Sequence, residues 1–189
     1  DEELFHVLLC LRAHGWTRNL PKENLICDKS EDPFYESFRF LLPGYNVRPL
    51  ELSGAIGLKQ LKKLPGLVDK RRVNAGFFKE RMESLEFIDI QREVGASSWF
   101  GFSIILNDKA SFSRADLVEA LINQGIETRP IVCGNIINNE MTNYFDYSIF
   151  GELVASQEIH TNGLFVGNHH IDMIHGLDNL HSTICQLQN

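Results

Sequence analysis

The sequence lacks any long apolar run and any long basic run, and each absence excludes a class of protein. No segment approaches the roughly 20 consecutive apolar residues that a transmembrane helix needs. Lys and Arg number 18 against 25 Asp and Glu, for a formal net charge of -7, and no basic stretch suits a phosphate backbone. The first residues also lack the pattern of a secretory signal peptide. We therefore expect a cytoplasmic protein that binds neither a membrane nor nucleic acid.

Metal-binding and nucleotide-binding motifs are also missing. The four cysteines show no CxxC spacing, so we expect reduced thiols rather than disulfides or a zinc site. The sequence has no P-loop, no dinucleotide-binding glycine motif and no nucleophile elbow. His169 and His170 are adjacent, but neighbouring side chains on an extended chain point to opposite faces. We therefore expect no metal site.

The order of predicted elements indicates an α+β fold. Asp1 can cap a first helix, and Gly15 can end it. The apolar face of this helix comprises Leu4, Val7, Leu8 and Leu11. Helical periodicity returns over residues 50–85, and Pro65 interrupts it, so this stretch is one kinked helix or two consecutive helices. From residue 86 the pattern reads β-β-α-β-α-α-β-α, which is typical of a small domain with an antiparallel or mixed sheet.

Within this last part of the chain, strand and helix patterns alternate. Strands are predicted at 87–91, 98–106, 126–132 and 164–166, and helices at 113–124, 140–147, 153–161 and 171–187. Ser113 and Asp116 have the spacing of a capping box, with Asp in place of the usual Glu or Gln. The whole sequence therefore predicts three segments, which are residues 1–50, 51–85 and 86–189.

A rigid polar turn at residues 42–51 is the first candidate site. Pro43 and Pro49 fix φ on either side, and Gly44 permits a backbone conformation that other residues resist. Between them the turn presents Asn46 and Arg48, whose amide and guanidinium groups can hold phosphate oxygens. The alternative is that the turn is only a stiff entry into the following helix.

A second candidate site follows the first helix. His14 lies close in sequence to Trp16 and Arg18, a combination suited to an anion or to a sugar, whose apolar face stacks on an aromatic ring. The alternative is that the end of a helix attracts cations through its dipole. Arg129, before Pro130, is a weaker candidate for substrate binding.

Three motifs connect these residues to a known family. They are Arg12-Ala13-His14-Gly15-Trp16, Gly44-Tyr45-Asn46-Val47-Arg48 and Ser53-Gly54-Ala55-Ile56-Gly57-Leu58-Lys59-Gln60-Leu61. With them the chain resembles, essentially from end to end, the DegT/DnrJ/EryC1/StrS family of pyridoxal phosphate-dependent sugar aminotransferases and dehydratases. Five segments are most similar to the nucleotide-sugar 3-dehydratases of that family, namely residues 12–21, 42–51, 97–106, 126–135 and 163–170.

The resemblance implies the C-terminal part of a fold-type-I transferase, with a long linking helix and a small α+β domain. The chain begins at Asp1 without an initiator Met, so we expect the large cofactor-binding domain to be missing. The family's cofactor is pyridoxal or pyridoxamine 5'-phosphate. The residue that acts on it, Lys in the aminotransferases and His in the dehydratases, would lie in the missing part. No catalytic residue is therefore expected in this chain.

The resemblance also implies roles for individual residues. Asn46 matches the residue that reaches across a homodimer interface to the phosphate of the partner subunit's cofactor. His14, Arg18, Phe38 and Arg48 are expected to line the same composite site. The substrate would be a nucleotide-diphospho-4-keto-6-deoxy sugar, deoxygenated at C3 for O-antigen biosynthesis.

Two other functions stay open at this point. A sugar aminotransferase shares the fold and the interface, and a Lys at the cofactor-linking position of the complete protein would favour it. A non-enzymatic dimerisation or ligand-binding module is of a different class, and tight binding of a nucleotide sugar by the chain without any cofactor would favour it.

The 189-residue chain on its own is predicted to bind no stoichiometric cofactor and to turn over no sugar, because the residues that hold the cofactor ring are expected elsewhere. The measurement is the absorbance of the purified chain after incubation with pyridoxal phosphate and removal of the excess. A band corresponding to one cofactor per chain would contradict the prediction.

Overall fold

The computed structural model describes residues 1–188, apart from the side chain of Phe34, and it divides into two compact units. The units are Asp1–Lys62 and Lys63–Asn189; the last residue, Asn189, which ends the predicted small domain, lies outside the described residues. Among the described residues no helix is both long and apolar enough to cross a membrane. The observed division assigns residues 63–85, the larger part of the predicted 51–85 segment, to the same unit as the sheet. The predicted division into residues 1–50, 51–85 and 86–189 stays a prediction.

The first unit contains three helices joined by loops. They are α1 (Glu2–Leu11), α2 (Pro33–Glu36) and α3 (Glu51–Leu61). The Asp1 carboxylate caps α1 by accepting a hydrogen bond from the Leu4 amide at 3.3 Å, as the sequence predicted. The predicted apolar face of α1 is not covered within this unit, however, since Leu4 and Leu8 are more than half exposed while His6 and Cys10 are buried.

Helix α3 has no buried residue at all. Its leucines are among the most exposed apolar side chains of the chain, with Leu52 at 71% and Leu58 at 67% of full exposure. The predicted helical stretch is confirmed, and it consists of two consecutive helices and not of one kinked helix. The break lies at Lys62 and Lys63, ahead of Pro65, because a proline in the first turn of the next helix is compatible with helical geometry.

The second unit follows the predicted order of elements closely. Its helices are α4 (Leu64–Met82), α5 (Arg114–Asn123), α6 (Val154–Asn162) and α7 (Ile174–Gln188), and its strands are β1 (Ile88–Ile90), β2 (Gly101–Leu106), β3 (Thr128–Arg129) and β4 (Gly163–Gly167). The helix predicted at 140–147 is a short 3-10 helix, Glu140–Tyr144, preceded by another at Ile136–Asn138.

The strand predicted at 126–132 shrinks to the two residues of β3. Two local features end it. Pro130 has no amide hydrogen to donate to a neighbouring strand, and Val132 takes a positive φ of 49°, which a strand cannot accommodate. The chain therefore leaves the sheet directly after Arg129.

The four strands form one antiparallel sheet in the order β1-β2-β4-β3. Every second residue of β2 is fully buried on the side of the helices, as expected for a sheet covered on one face. At the centre of the core, Phe78 from α4 stacks on Phe102 from β2, with ring centroids 4.1 Å apart. Leucines of α5 and α7, such as Leu117 and Leu177, complete the core.

Helix α5 begins with the predicted capping box. The Ser113 hydroxyl accepts a hydrogen bond from the Asp116 amide at 3.2 Å, and the Asp116 carboxylate accepts one from the Ser113 amide at 2.8 Å. The hydrogen bond from the Ser113 hydroxyl, followed by that from its amide, lowers the pKa of Asp116 below its ordinary value. The carboxylate is therefore held in its charged, accepting form.

Candidate functional site

The polar turn is fastened to the chain that follows α1 by backbone hydrogen bonds. The bonds run from Tyr45 N to Leu11 O (2.6 Å), from His14 N to Tyr45 O (2.9 Å) and from Val47 N to Arg12 O (3.0 Å). Within this short antiparallel pairing, Asn46 lies opposite Ala13. Backbone hydrogen bonds of the residues before and after Asn46 therefore fix its position, and its side chain is exposed.

Two glycines allow these segments to approach so closely. A Cβ atom on Gly44 would lie 2.1 Å from the Gly15 amide nitrogen, and one on Gly15 would lie 1.6 Å from the Leu42 carbonyl oxygen. Gly15 also has a positive φ of 87°. The interpretation that Gly44 supplies an unusual backbone conformation is wrong, since its φ lies outside the left-handed region. Gly44 is needed because the space beside it is occupied by another backbone.

A second backbone pairing brings an aromatic segment to the same place. Trp16 pairs with Phe40, and the Thr17 amide donates to the Arg39 carbonyl at 3.1 Å. The ring of Trp16 then contacts Phe38 edge-on, with centroids 5.5 Å apart. Residues that are distant in the sequence thus form one aromatic cluster on the surface of the first unit.

Three of the predicted site residues meet at this cluster. The His14 ring lies 5.7 Å from the Trp16 ring, and the Arg18 guanidinium carbon lies 5.3 Å from its centroid. Phe38 is the third, and 67% of its surface is exposed. The arrangement offers a positive charge beside exposed aromatic faces, which suits a ligand with an anionic part and a flat or apolar part.

Asn46 and Arg48 lie on the paired turn, close in sequence to each other and exposed. Among the described residues neither side chain makes a hydrogen bond or an ion pair. An amide and a guanidinium without internal partners are available to an external group with oxygen acceptors, such as a phosphate. The sequence placed both residues on the same turn, and the pairing with Ala13 puts Asn46 next to His14.

Arg129 is the candidate residue of the second unit. It lies on β3 in the second unit, where its guanidinium is 3.6 Å from the Glu127 carboxylate in an exposed ion pair. Both residues border a cavity of about 370 Å³ that Val166 and Asn168 also line. The role of Arg129 in substrate binding stays a prediction, as do the roles of the other candidate residues.

The reverse side of the aromatic segment holds a partly buried polar network that the sequence did not predict. Thr17 is fully buried and donates a hydrogen bond of 2.5 Å to the Glu36 carboxylate. That carboxylate also accepts from the Ser30 amide at 2.9 Å and pairs with Arg39 at 3.4 Å. The Thr17 hydrogen bond is the largest of the effects that lower the pKa of Glu36. An ionised Glu36 therefore anchors the loop that carries Phe38.

Trp16 is the residue that sequence reasoning undervalued. It was noted beside His14 and Arg18, but only as one of several residues able to contact a ligand. No local pattern could have found the cluster, because His14 and Gly15 form a turn with positive φ values of 63° and 87° and Phe38 comes from a distant segment. Thr17, between Trp16 and Arg18, is buried and contacts Glu36 instead.

The histidine pair differs from its prediction. The rings of His169 and His170 lie side by side, with centroids 4.3 Å apart, so the expectation that they face opposite ways is wrong. The reason is that both residues lie in a bend after β4 and not in a strand. Asn74 holds this bend by donating to the carbonyls of His169 and Ile171, at 2.9 and 2.8 Å.

The surroundings of this pair are unfavourable for a cation. Burial, followed by the positive charges of His169, Lys70 and Arg71, lowers the pKa of His170. Across residues 1–188, no group of three or more His, Cys, Asp or Glu side chains has the arrangement of a metal site. The four cysteines form no disulfide among the described residues, and their reduced state stays a prediction.

With this geometry established, comparison with known proteins identifies the family. The sequence profile of the DegT/DnrJ/EryC1/StrS aminotransferase family matches residues 1–171. The chain belongs to this family. The match covers the first unit and most of the second and includes every candidate residue of the first unit, so the resemblance carried by the sequence motifs is confirmed.

Individual relatives agree with this assignment. The chain is 59% identical over 182 residues to GDP-4-keto-6-deoxy-D-mannose 3-dehydratase from Yersinia pseudotuberculosis, a match that covers 95% of the chain and 46% of the relative. It is 51% identical over 186 residues to the protein of the same name from Escherichia coli O55:H7, covering 97% of the chain and 48% of the relative. The chain thus spans about half the length of the curated relatives it matches.

Solved structures confirm the predicted fold class. The E. coli GDP-4-keto-6-deoxy-D-mannose-3-dehydratase with bound hydrated pyridoxal phosphate superposes with a TM-score of 0.89 at 51% identity, covering 97% of this chain and 48% of that one. An aminotransferase from Helicobacter pylori, at 18% identity, has a TM-score of 0.72 over 94% of this chain and 44% of that one, and it shows the fold alone. The described units are therefore part of a pyridoxal phosphate-dependent transferase fold.

Substituting Gly44 by Ala is expected to destabilise the first unit by at least about 2 kcal/mol, because the new methyl group would overlap the Gly15 backbone and force the two segments apart. Urea denaturation of the 189-residue chain, monitored by tryptophan fluorescence, measures the change in the free energy of unfolding. Gly54→Ala is the matched control. A Cβ atom there meets nothing within 4 Å, and its position in α3 predicts a slight gain. Equal stability of the two variants would contradict the close contact.

Proposed function

We propose that the complete protein is a pyridoxal or pyridoxamine phosphate-dependent 3-dehydratase that acts on a GDP-linked 4-keto-6-deoxy sugar. The observation that carries the proposal is the agreement in name of the relatives at 59% and 51% identity, each matched over nearly the whole chain. A more distant relative, 31% identical over 127 residues, is a lipopolysaccharide biosynthesis protein from Salmonella typhimurium. Lipopolysaccharide synthesis is therefore the proposed setting. The cytoplasmic location expected from the sequence stays a prediction.

The cofactor would be held in part by Asn46. Its amide is exposed on a turn whose backbone is paired on both sides, and its N–H groups can donate to phosphate oxygens. The side chains of the described residues thus fit the phosphate end of the cofactor. When bound, the cofactor supplies an electron sink for removing the C3 hydroxyl. This chain contributes binding and orientation.

We propose that the protein acts as a homodimer and that Asn46 serves the partner subunit's cofactor. A side chain can contribute to a site in another subunit only if its own subunit holds it in a fixed position. The backbone hydrogen bonds from Tyr45, His14 and Val47 fix that position. Arg48, two residues further along the same exposed turn, would contact the ligand from the same direction.

The substrate would be contacted mainly by His14, Arg18 and Phe38, which meet at the Trp16 ring. Arg18 can bind the diphosphate, Phe38 offers an exposed face to the base or the sugar, and His14 can donate a hydrogen bond to a ligand oxygen. We assign Arg129 to substrate binding on a weaker basis, because it already pairs with Glu127.

Product analysis tests the proposed function. The complete protein, purified and examined for its oligomeric state by light scattering, is incubated with pyridoxal phosphate, glutamate as amino donor and GDP-4-keto-6-deoxymannose. Mass spectrometry is expected to show a sugar nucleotide that has lost one oxygen atom, and light scattering is expected to show a dimer. A product with an amino group would indicate an aminotransferase instead. Binding of the sugar nucleotide without any product would favour a non-enzymatic module.

Substituting Asn46 by Ala in the complete protein is expected to weaken cofactor binding by about 1.5–3 kcal/mol, the range for a hydrogen bond to a charged group. This corresponds to roughly a ten- to hundredfold larger dissociation constant, measured by equilibrium dialysis against pyridoxal phosphate. Asn123→Ala, at the exposed end of α5, is the matched control and should leave the constant unchanged. If the Asn46 variant binds as tightly as this control, Asn46 does not contact the phosphate.

A further inference from the structure

Trp16 is the common neighbour of three side chains for which ligand binding is proposed. Its ring lies 5.7 Å from the His14 ring, 5.5 Å from the Phe38 ring and 5.3 Å from the Arg18 guanidinium carbon. His14 and Arg18 are two residues away on either side, while Phe38 comes from the paired segment. No role has been assigned to Trp16 so far in the proposed function.

The contact with Trp16 is the one constraint on Arg18 in the described part of the chain. The guanidinium is exposed, and within residues 1–188 it makes no hydrogen bond and no ion pair. A long side chain of this kind loses considerable rotamer freedom when it binds a ligand. Attraction between the guanidinium and the indole face restricts it in advance. The ring therefore determines where the positive charge lies before a ligand arrives.

Trp16 is itself held firmly. Its amide donates to the Ala13 carbonyl at 3.0 Å, its backbone pairs with Phe40, and the next residue, Thr17, is fully buried. The indole Nε1 is buried, and nothing among the described residues accepts its hydrogen bond. A smaller apolar side chain would fill this place without leaving a donor unpaired. The property that distinguishes tryptophan here is its broad face, which attracts cations more strongly than other aromatic rings do.

We infer that Trp16 is a positioning residue of the substrate site. It holds the Arg18 guanidinium against the ring that His14 and Phe38 also contact, in the orientation that receives the diphosphate of a nucleotide-linked sugar. Trp16 acts through Arg18 and takes no part in bond making or breaking. The identity of the ligand rests on the proposed function, whereas the arrangement around the indole ring does not.

The test uses Trp16→Leu and Trp16→Phe in the complete protein. Calorimetry with GDP measures anion binding, and steady-state assays with the keto sugar separate kcat from KM. Because the indole pre-orients Arg18, Trp16→Leu is expected to raise the Kd for GDP and the KM about tenfold, with kcat changed less than about twofold. Trp16→Phe keeps an aromatic face and is expected to recover most of the affinity.

Two further variants separate positioning from general packing. Phe40→Leu removes an aromatic neighbour of Trp16, whose ring is 5.5 Å away, but Phe40 is not a proposed ligand residue. It should leave GDP binding unchanged. Arg18→Gln combined with Trp16→Leu should bind GDP no more weakly than Arg18→Gln alone, because the ring acts through the guanidinium. Circular dichroism of each variant verifies that it is folded.

The possible outcomes are distinct. Unchanged GDP binding by Trp16→Leu, additive losses in the double variant, or an equal loss in Phe40→Leu would overturn the inference. Failure of the parent protein to bind GDP would overturn it as well. If the protein binds GDP with the expected dependence on Trp16 but produces no deoxygenated sugar, the proposed function fails and the inference stands. If the protein produces that sugar and Trp16→Leu behaves like the parent, the inference alone fails.

Discussion

The turn that carries Asn46 reaches the chain after α1 by main-chain contact, and the other features of the first unit depend on this approach. Gly15 and Gly44 pass at a distance that leaves no room for a Cβ atom on either residue. Once the two backbones are in contact, their hydrogen bonds determine which residue of the turn lies opposite Ala13. Because a slip by one residue in such a pairing would turn Asn46 to the other side, the contact sets both the place and the direction of the amide.

The same unit separates two kinds of chemistry on the two sides of one short segment. Trp16 faces the cluster with Arg18 and Phe38, and Thr17 faces the carboxylate of Glu36. A carboxylate whose pKa is lowered in the folded state stabilises that state above its ordinary pKa, and this contribution is lost as the pH falls through the lowered value. Near neutral pH the anchor is therefore fully charged. The aromatic side can then be occupied by a ligand without altering the support behind it.

Much of the second unit could be predicted from the sequence because its signals are local. The capping box of α5 and the strand β2 each depend on a few neighbouring residues, and both were predicted. The reason for Gly44 could not be predicted, because it depends on a backbone about thirty positions earlier in the chain. The side-by-side rings of His169 and His170 depend on Asn74, which is more distant still. Local patterns predicted elements, whereas contacts between distant segments required the structure.

For the candidate site, the motifs indicated which residues to consider but not how they are arranged. Resemblance to the family named His14, Arg18 and Phe38, and the structure adds that one indole ring connects them. The apolar face predicted for α1 shows what a periodic apolar pattern leaves undetermined. Leu4 and Leu8 have the spacing of buried residues, yet they are exposed within this unit. A periodic pattern indicates that a face will be covered and does not specify by which part of a protein.

The first unit buries few apolar side chains, so hydrophobic burial contributes little to its stability at any temperature. In the described part of that unit they are Cys10, Ala13 and Leu20, whereas the second unit buries a full core around Phe78 and Phe102. The heat-capacity change of unfolding scales with the apolar surface exposed, so it arises mainly from the second unit. Hydrophobic stabilisation weakens on cooling, but the backbone pairing that fixes Asn46 relies little on it. The ligand-facing turn is thus held by the kind of interaction that changes least as the temperature falls.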